Sequence, residues 1–187
     1  MKKGKKIALL GVLTALSLIT YMIESLFPPL IIPGAKLGLS NVFSLLAIVW
    51  LSPFDALLLL LARTTLSAFI LGNVSSLLYS LPAGLLSVLY MSAIYTFFGK
   101  KVSLLAISVS SAIVHNLVQN IVYCLQLGSF ALFSYSPYLV VLAVFAGIVV
   151  GISATLIVNY KKLPFYAKVH SEKRINETNQ KNEKSDK

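Results

Sequence analysis

The chain has 187 residues, of which 57% are hydrophobic and only 12% charged, with a mean hydropathy of +0.84. A soluble domain carries about 25% charged residues, so a water-coated globular surface is excluded and lipid is the expected solvent. The net charge of +10 does not indicate nucleic acid, because it lies at the two ends and not on one face of a folded module. Lys2, Lys3, Lys5 and Lys6 precede the first apolar run, and the tail from Lys161 holds eight basic and four acidic residues. Between Ile7 and Tyr160 the formal charges are Lys36, Arg63, Lys100, Lys101, Glu24 and Asp55.

Crossing a hydrocarbon core about 30 Å thick takes roughly 20 apolar residues. Span one covers about 7–27. It follows a lysine cluster as a signal peptide does, but no small-x-small cleavage pattern comes after Glu24, Ser25, Leu26 and Phe27, so a retained helix is expected. Residues 28–40 hold three prolines and two glycines and read as a loop or re-entrant piece. Span two is short, about 39–51, and Ser52-Pro53 closes it. Span three covers 54–71. Span four covers 74–98, with a kink expected at Pro82-Ala83-Gly84. Span five covers 102–126 and span six 137–160. Alternatively, spans two and three form one hairpin that does not cross fully. Residues 1–163 thus read as one membrane domain, and 164–187 as a polar tail, disordered from about 171.

Six crossings place the N-terminal lysines, Lys100-Lys101 and Lys161-Lys162 on one side, and Lys36 alone on the other. Basic residues mark the cytoplasmic side. The expected fold is therefore an all-α integral membrane bundle of six transmembrane helices, with both termini cytoplasmic.

Few residues in the spans can carry chemistry. Ala8, Gly11 and Ala15, with Gly4, share one face of span one; Ala143, Gly147, Gly151 and Ala154 share one face of span six. Small residues let membrane helices approach closely, either within the chain or against a partner. Span five carries His115, Asn116, Gln119, Asn120, Tyr123 and Gln126, which fall within about 140° at about 100° per residue. Facing lipid, such a stripe costs several kcal/mol. It must face the interior, as a hydrogen-bond network or as a solute-binding wall. Arg63 lies roughly nine residues, about 14 Å, into span three. It calls for a partner, either Glu24 or an anionic group on a solute. The loop Pro33-Gly34-Ala35-Lys36-Leu37-Gly38-Leu39-Ser40-Asn41 offers a cation, and Ser40-Asn41 are placed to cap the short helix. Lone Cys124 excludes an internal disulfide. No nucleotide-binding glycine motif and no Ser-His-Asp set can be assembled. Two membrane carboxylates are too few for the magnesium clusters of diphosphate chemistry, so catalytic and metal residues are not expected.

The order of parts resembles the S components of energy-coupling factor (ECF) transporters: lysines, a small-xxx-small first helix, the proline-bounded loop ending in Ser40-Asn41, then four more helices. That loop and the following Val42 to Trp50 look more closely like the bacterial Gx transporter family, also labelled heptaprenyl diphosphate synthase component I. The resemblance covers roughly Lys5 to Tyr160. It implies a bacterial plasma-membrane subunit whose solute, a vitamin, flavin or isoprenoid-like molecule, binds among the outer helix halves under the first loop. Lys36, Ser40, Asn41, Arg63, His115, Asn116, Gln119, Asn120 and Tyr123 are the candidate binding residues. The resemblance also implies that Ala8, Gly11 and Ala15 dock on a transmembrane coupling subunit driven by two ATPases, so that ATP is used by partners and this chain binds no cofactor. Alternatives are a membrane component of quinone- or flavin-linked extracellular electron transfer, or a membrane partner of a polyprenyl diphosphate synthase.

Overall fold

Apolar runs bounded by proline, glycine and serine set the helix limits. The computed structural model describes residues 3–26, 38–72, 74–99 and 101–160, and these contain helices and no strand. The helices are α1 (Lys3–Leu26), α2 (Asn41–Trp50), α3 (Pro53–Ile70), α4 (Ser75–Phe98), α5 (Leu104–Leu127) and α6 (Ser136–Asn159). A 3-10 turn at Phe130–Tyr135 leads into α6. The loop with Lys36, and the polar tail, lie outside the described residues.

Local chemistry explains the boundaries. The Ser52 hydroxyl accepts a hydrogen bond from Asp55 N at 3.2 Å, and Pro53 takes the first helical position of α3, where its missing N–H costs nothing. Ser103 caps α5 by accepting from Ala106 N at 3.2 Å. Gly128 ends α5 with φ 63, a left-handed conformation that glycine adopts without a Cβ clash. Helix α4 runs unbroken through Pro82.

Five helical segments are long and apolar enough to cross a membrane: α1, α3, α4, α5 and the stretch Phe130–Asn159 that includes α6. Their exposed faces carry large apolar side chains, among them Ile7, Phe54, Phe69, Leu125 and Phe145. The protein is a multi-pass membrane protein. Helix α2 is different. Its ten residues reach only about 15 Å, half a hydrocarbon core, and Val42, Leu45, Leu46, Ala47 and Ile48 are all buried. It packs against α1, α3 and α4. Irregular backbone next to so short a helix is tolerable at membrane depth only when protein covers it.

Side-chain pairings set the directions. Lys6 Nζ lies 2.7 Å from Asp55 Oδ2, so α1 and α3 begin at the same end of the bundle. Helices α5 and α6 run antiparallel. Asn120 near the end of α5 meets Ser136 at the start of α6, and Gly147 and Gly151 lie against Val109 and Leu105. The described residues up to Ala154 form one compact unit, and a second begins at Thr155 and is described only as far as Tyr160.

The two small-residue faces are used differently. A Cβ on Gly147 would lie 2.6 Å from Val109 Cα, and one on Gly151 2.7 Å from Leu105 Cα, so on α6 the small face is an internal contact. On α1, Ala8, Gly11 and Ala15 are exposed, and a Cβ on Gly11 meets nothing within 4 Å. Overpacking a close contact costs about 1–3 kcal/mol. Gly147→Leu and Gly151→Leu should therefore lower the unfolding midpoint in detergent by several degrees, while Gly11→Leu leaves it unchanged. Equal midpoints for all three variants would contradict this assignment of the two faces.

Candidate functional site

Arg63 sits in the middle of α3 with only 3% of its surface exposed. A guanidinium carries five N–H donors and cannot shed its charge, so burying it requires oxygen atoms around it. Nη1 donates to the Ser40 hydroxyl and, at 3.5 Å, to the Ser17 hydroxyl; Nη2 donates to Asn41 Oδ1 at 3.4 Å. The guanidinium carbon lies 6.0 Å from the centre of the Tyr21 ring. All of these partners are neutral, and the buried Nε donates to none. Glu24 acts on Arg63 through space, but its Oε1 accepts a hydrogen bond from Gly38 N.

The same contacts fix the depth of α2. The Ser17 hydroxyl donates to the Ser40 carbonyl at 3.2 Å. Ser17 stands eleven residues beyond Lys6, about 16 Å along α1. Helix α2 therefore starts near the middle of α1 and ends near the level of the Lys6–Asp55 pair. Gly38, with φ 75, turns the chain into it, and the N–H groups of Asn41, Val42 and Phe43 donate to the carbonyls of Gly38, Leu39 and Ser40 at 2.9, 3.1 and 3.3 Å. The expectation that Ser40 caps α2 is corrected on one point. Ser40 holds the N-cap position, but its side chain makes no capping bond, because the hydroxyl accepts from Arg63 instead.

The polar stripe of α5 divides by use. Asn120 Nδ2 donates to Ser136 Oγ at 2.9 Å, and the Cys124 thiol approaches Asn120 Oδ1 at 3.9 Å, so Asn120 ties α5 to α6. Asn116 and Gln119 are buried, His115 is half-buried and Gln126 exposed. Tyr123 meets Tyr79 of α4 edge-on, with ring centres 5.7 Å apart and planes at 79°. Tyr21 thus borders the Arg63 cluster of α1, α2 and α3, and Tyr79 borders the α5 stripe. Lys36 falls outside the described residues.

Three members of this arrangement were not singled out from sequence: Ser17, Tyr21 and Tyr79. Ser17, Tyr21 and Glu24 recur at helical spacing along the buried face of α1, a signal that was present. Tyr79 carries no local signal beyond lying near the same end of its helix. Among the described residues no group of three His, Cys, Asp or Glu side chains could hold a metal. A shallow pocket of about 430 Å³ at the far end of α4, lined by Tyr95, Phe98 and Lys101 among others, contains none of the candidate residues.

What the arrangement offers is recognition by hydrogen bonding and charge. Serine hydroxyls, amides, tyrosine rings and one guanidinium converge at membrane depth beside a half-length helix, an arrangement in which transporters bind solutes. No curated protein and no solved structure matches the chain. Residues 13–157 match the family described as heptaprenyl diphosphate synthase component I. That match covers most of the chain and every element that builds the cluster, and the protein belongs to the heptaprenyl diphosphate synthase component I family, the Gx transporter family of the sequence reading.

Proposed function

We propose that this protein is the solute-binding subunit of a transporter, resembling an ECF S component and driven by ATP hydrolysis in partner subunits. The observation that carries this reading is the start of α2 at mid-depth, opposite buried Arg63. Broken helices of this kind are costly in lipid and recur where transporters hold solutes. On this reading α2 is the cytoplasmic half of a second crossing, which makes six in all, in a bacterial plasma membrane with both termini inside. Arg63, Ser40 and Asn41 form the floor of the solute site. Asn116 and Tyr123 form a wall with Gln119 and His115, while Asn120 chiefly holds α6, and Lys36 belongs to the loop above. The solute is a vitamin, flavin or isoprenoid-like molecule. The chain itself binds no cofactor and performs no catalysis.

The outward face of α1 supports the partner half of this reading. Ala8, Gly11 and Ala15 form a surface on which another helix can lie closely. Gly11→Leu and Ala15→Leu should weaken co-purification with a coupling subunit roughly 5- to 150-fold, the effect of overpacking a tight contact, while the variants remain folded. Unchanged recovery of the complex in both would remove α1 from the interface.

Topology is tested with single cysteines, Lys36→Cys, Lys101→Cys and Phe130→Cys, in a Cys124→Ser background. An impermeant thiol reagent applied to intact cells should label positions 36 and 130 and leave 101 protected. The reverse pattern would overturn the orientation, and labelling of both 101 and 130 the count of crossings between them. A second reading, as the membrane partner of a polyprenyl diphosphate synthase, is favoured by the family's description. It predicts that the chain co-purifies with a soluble prenyl synthase and raises its turnover. The transporter reading predicts no such effect.

A further inference from the structure

We infer that the site around Arg63 recognises its solute through an anionic group, a carboxylate or a phosphate, taken up by the guanidinium beside the start of α2. The inference deepens the solute-binding reading and rests on it for the identity of the site. Its own basis is an account of charge.

Between Ile7 and Tyr160 the chain has two carboxylates, Glu24 and Asp55. Asp55 is committed to Lys6 and to the Ser52 hydroxyl at the far end of α3. Glu24 is committed through Oε1 to the N–H of Gly38. Arg63, which is almost wholly buried, is left with neutral hydroxyl and amide oxygens at Nη1 and Nη2 and with no acceptor at Nε. The atoms it touches belong to Ser40 and Asn41, the N-cap and first residue of α2. That end of a helix carries roughly half a positive charge. A cation and the positive end of a helix therefore meet in a water-poor interior, and among the described residues no carboxylate is hydrogen-bonded to the guanidinium or to the first-turn N–H groups of α2, Glu24 being held at Gly38. Buried charge that is only partly compensated is unfavourable, and an anion would relieve it at the open Nε donor of the guanidinium. A guanidinium suits this role because its fork matches the oxygens of a carboxylate or phosphate.

Glu24 then acts as a second determinant of opposite sign. Close enough to act on Arg63 through space, it competes with an incoming anion. Glu24→Gln keeps an oxygen for the Gly38 N–H while removing that competition.

The probes are inorganic phosphate and acetate, each titrated against chloride at matched ionic strength into the purified full chain in lipid nanodiscs. The readout is the thermal unfolding midpoint. In the wild type the midpoint should rise saturably with at least one of the two, and whichever acts identifies the anionic class. Arg63→Gln should weaken the half-saturating concentration roughly 10- to 150-fold, the range for losing a charge-assisted hydrogen bond. Glu24→Gln should strengthen it. If Arg63→Gln does not fold, Glu24→Gln decides alone, because an unchanged or weaker half-saturation there overturns the inference. So does a wild type that responds to neither anion, or an Arg63→Gln protein that responds as the wild type does. Saturable anion binding by a wild-type chain that co-purifies with no coupling subunit would leave this inference standing while sinking the transport reading.

Discussion

A guanidinium in the middle of a membrane helix has to be met by oxygen atoms, and much of the bundle follows from how Arg63 meets that demand. Its own helix cannot help, because the backbone carbonyls of α3 are spent on helical hydrogen bonds. The oxygens come instead from Ser17 on α1 and from Ser40 and Asn41 at the start of α2. That start must therefore lie at the depth of Arg63, and a helix beginning there has about 15 Å of descent left. Ten residues fill it. The burial of α2 against three neighbours, the left-handed turn at Gly38 and the carboxylate of Glu24 on the Gly38 N–H each support one irregular stretch of backbone where lipid would not tolerate it.

The two small-residue faces show why a pattern does not carry its own meaning. Both read as close-approach surfaces. On α6 the close approach is made inside the chain, with Gly147 and Gly151 against the backbone of α5. On α1 the residues point outward, and nothing in the described residues covers Gly11. An exposed small face gains nothing from lipid, which packs as well against leucine. On the proposed reading, a partner helix would give it a use.

Much of this was legible in the sequence, and the parts that were not share a cause. Long apolar runs marked α1, α3, α4, α5 and α6 within a few residues, because helix formation in lipid depends on local composition. The shortness of the second helix was also visible from Pro53. Its depth was not, since depth depends on Ser17 reaching Ser40 across 23 positions. Arg63, Ser40 and Asn41 stood out because charge and amide groups are rare in the spans, and the structure brings the three together. Ser40 as a capping side chain was misjudged, because the local rule for helix starts gave way to a longer-range demand from Arg63. Within the α5 stripe, periodicity put the polar groups on one face. It could not reveal that Asn120 turns to Ser136, which lies on the next helix. The 3-10 turn before α6 was not read from the sequence, because Gly128 and Pro137 bracket Phe130–Tyr135 without fixing the conformation between them.

The claim on which the account depends is that the Arg63 cluster holds a small molecule and does not exist only to join α1, α2 and α3. Native mass spectrometry of the protein released from its own membranes tests this most directly, comparing wild type with Arg63→Gln at equal folded fraction. The account predicts one organic molecule per wild-type chain, released on unfolding and depleted from the variant. The same complement of bound small molecules on both proteins would contradict it.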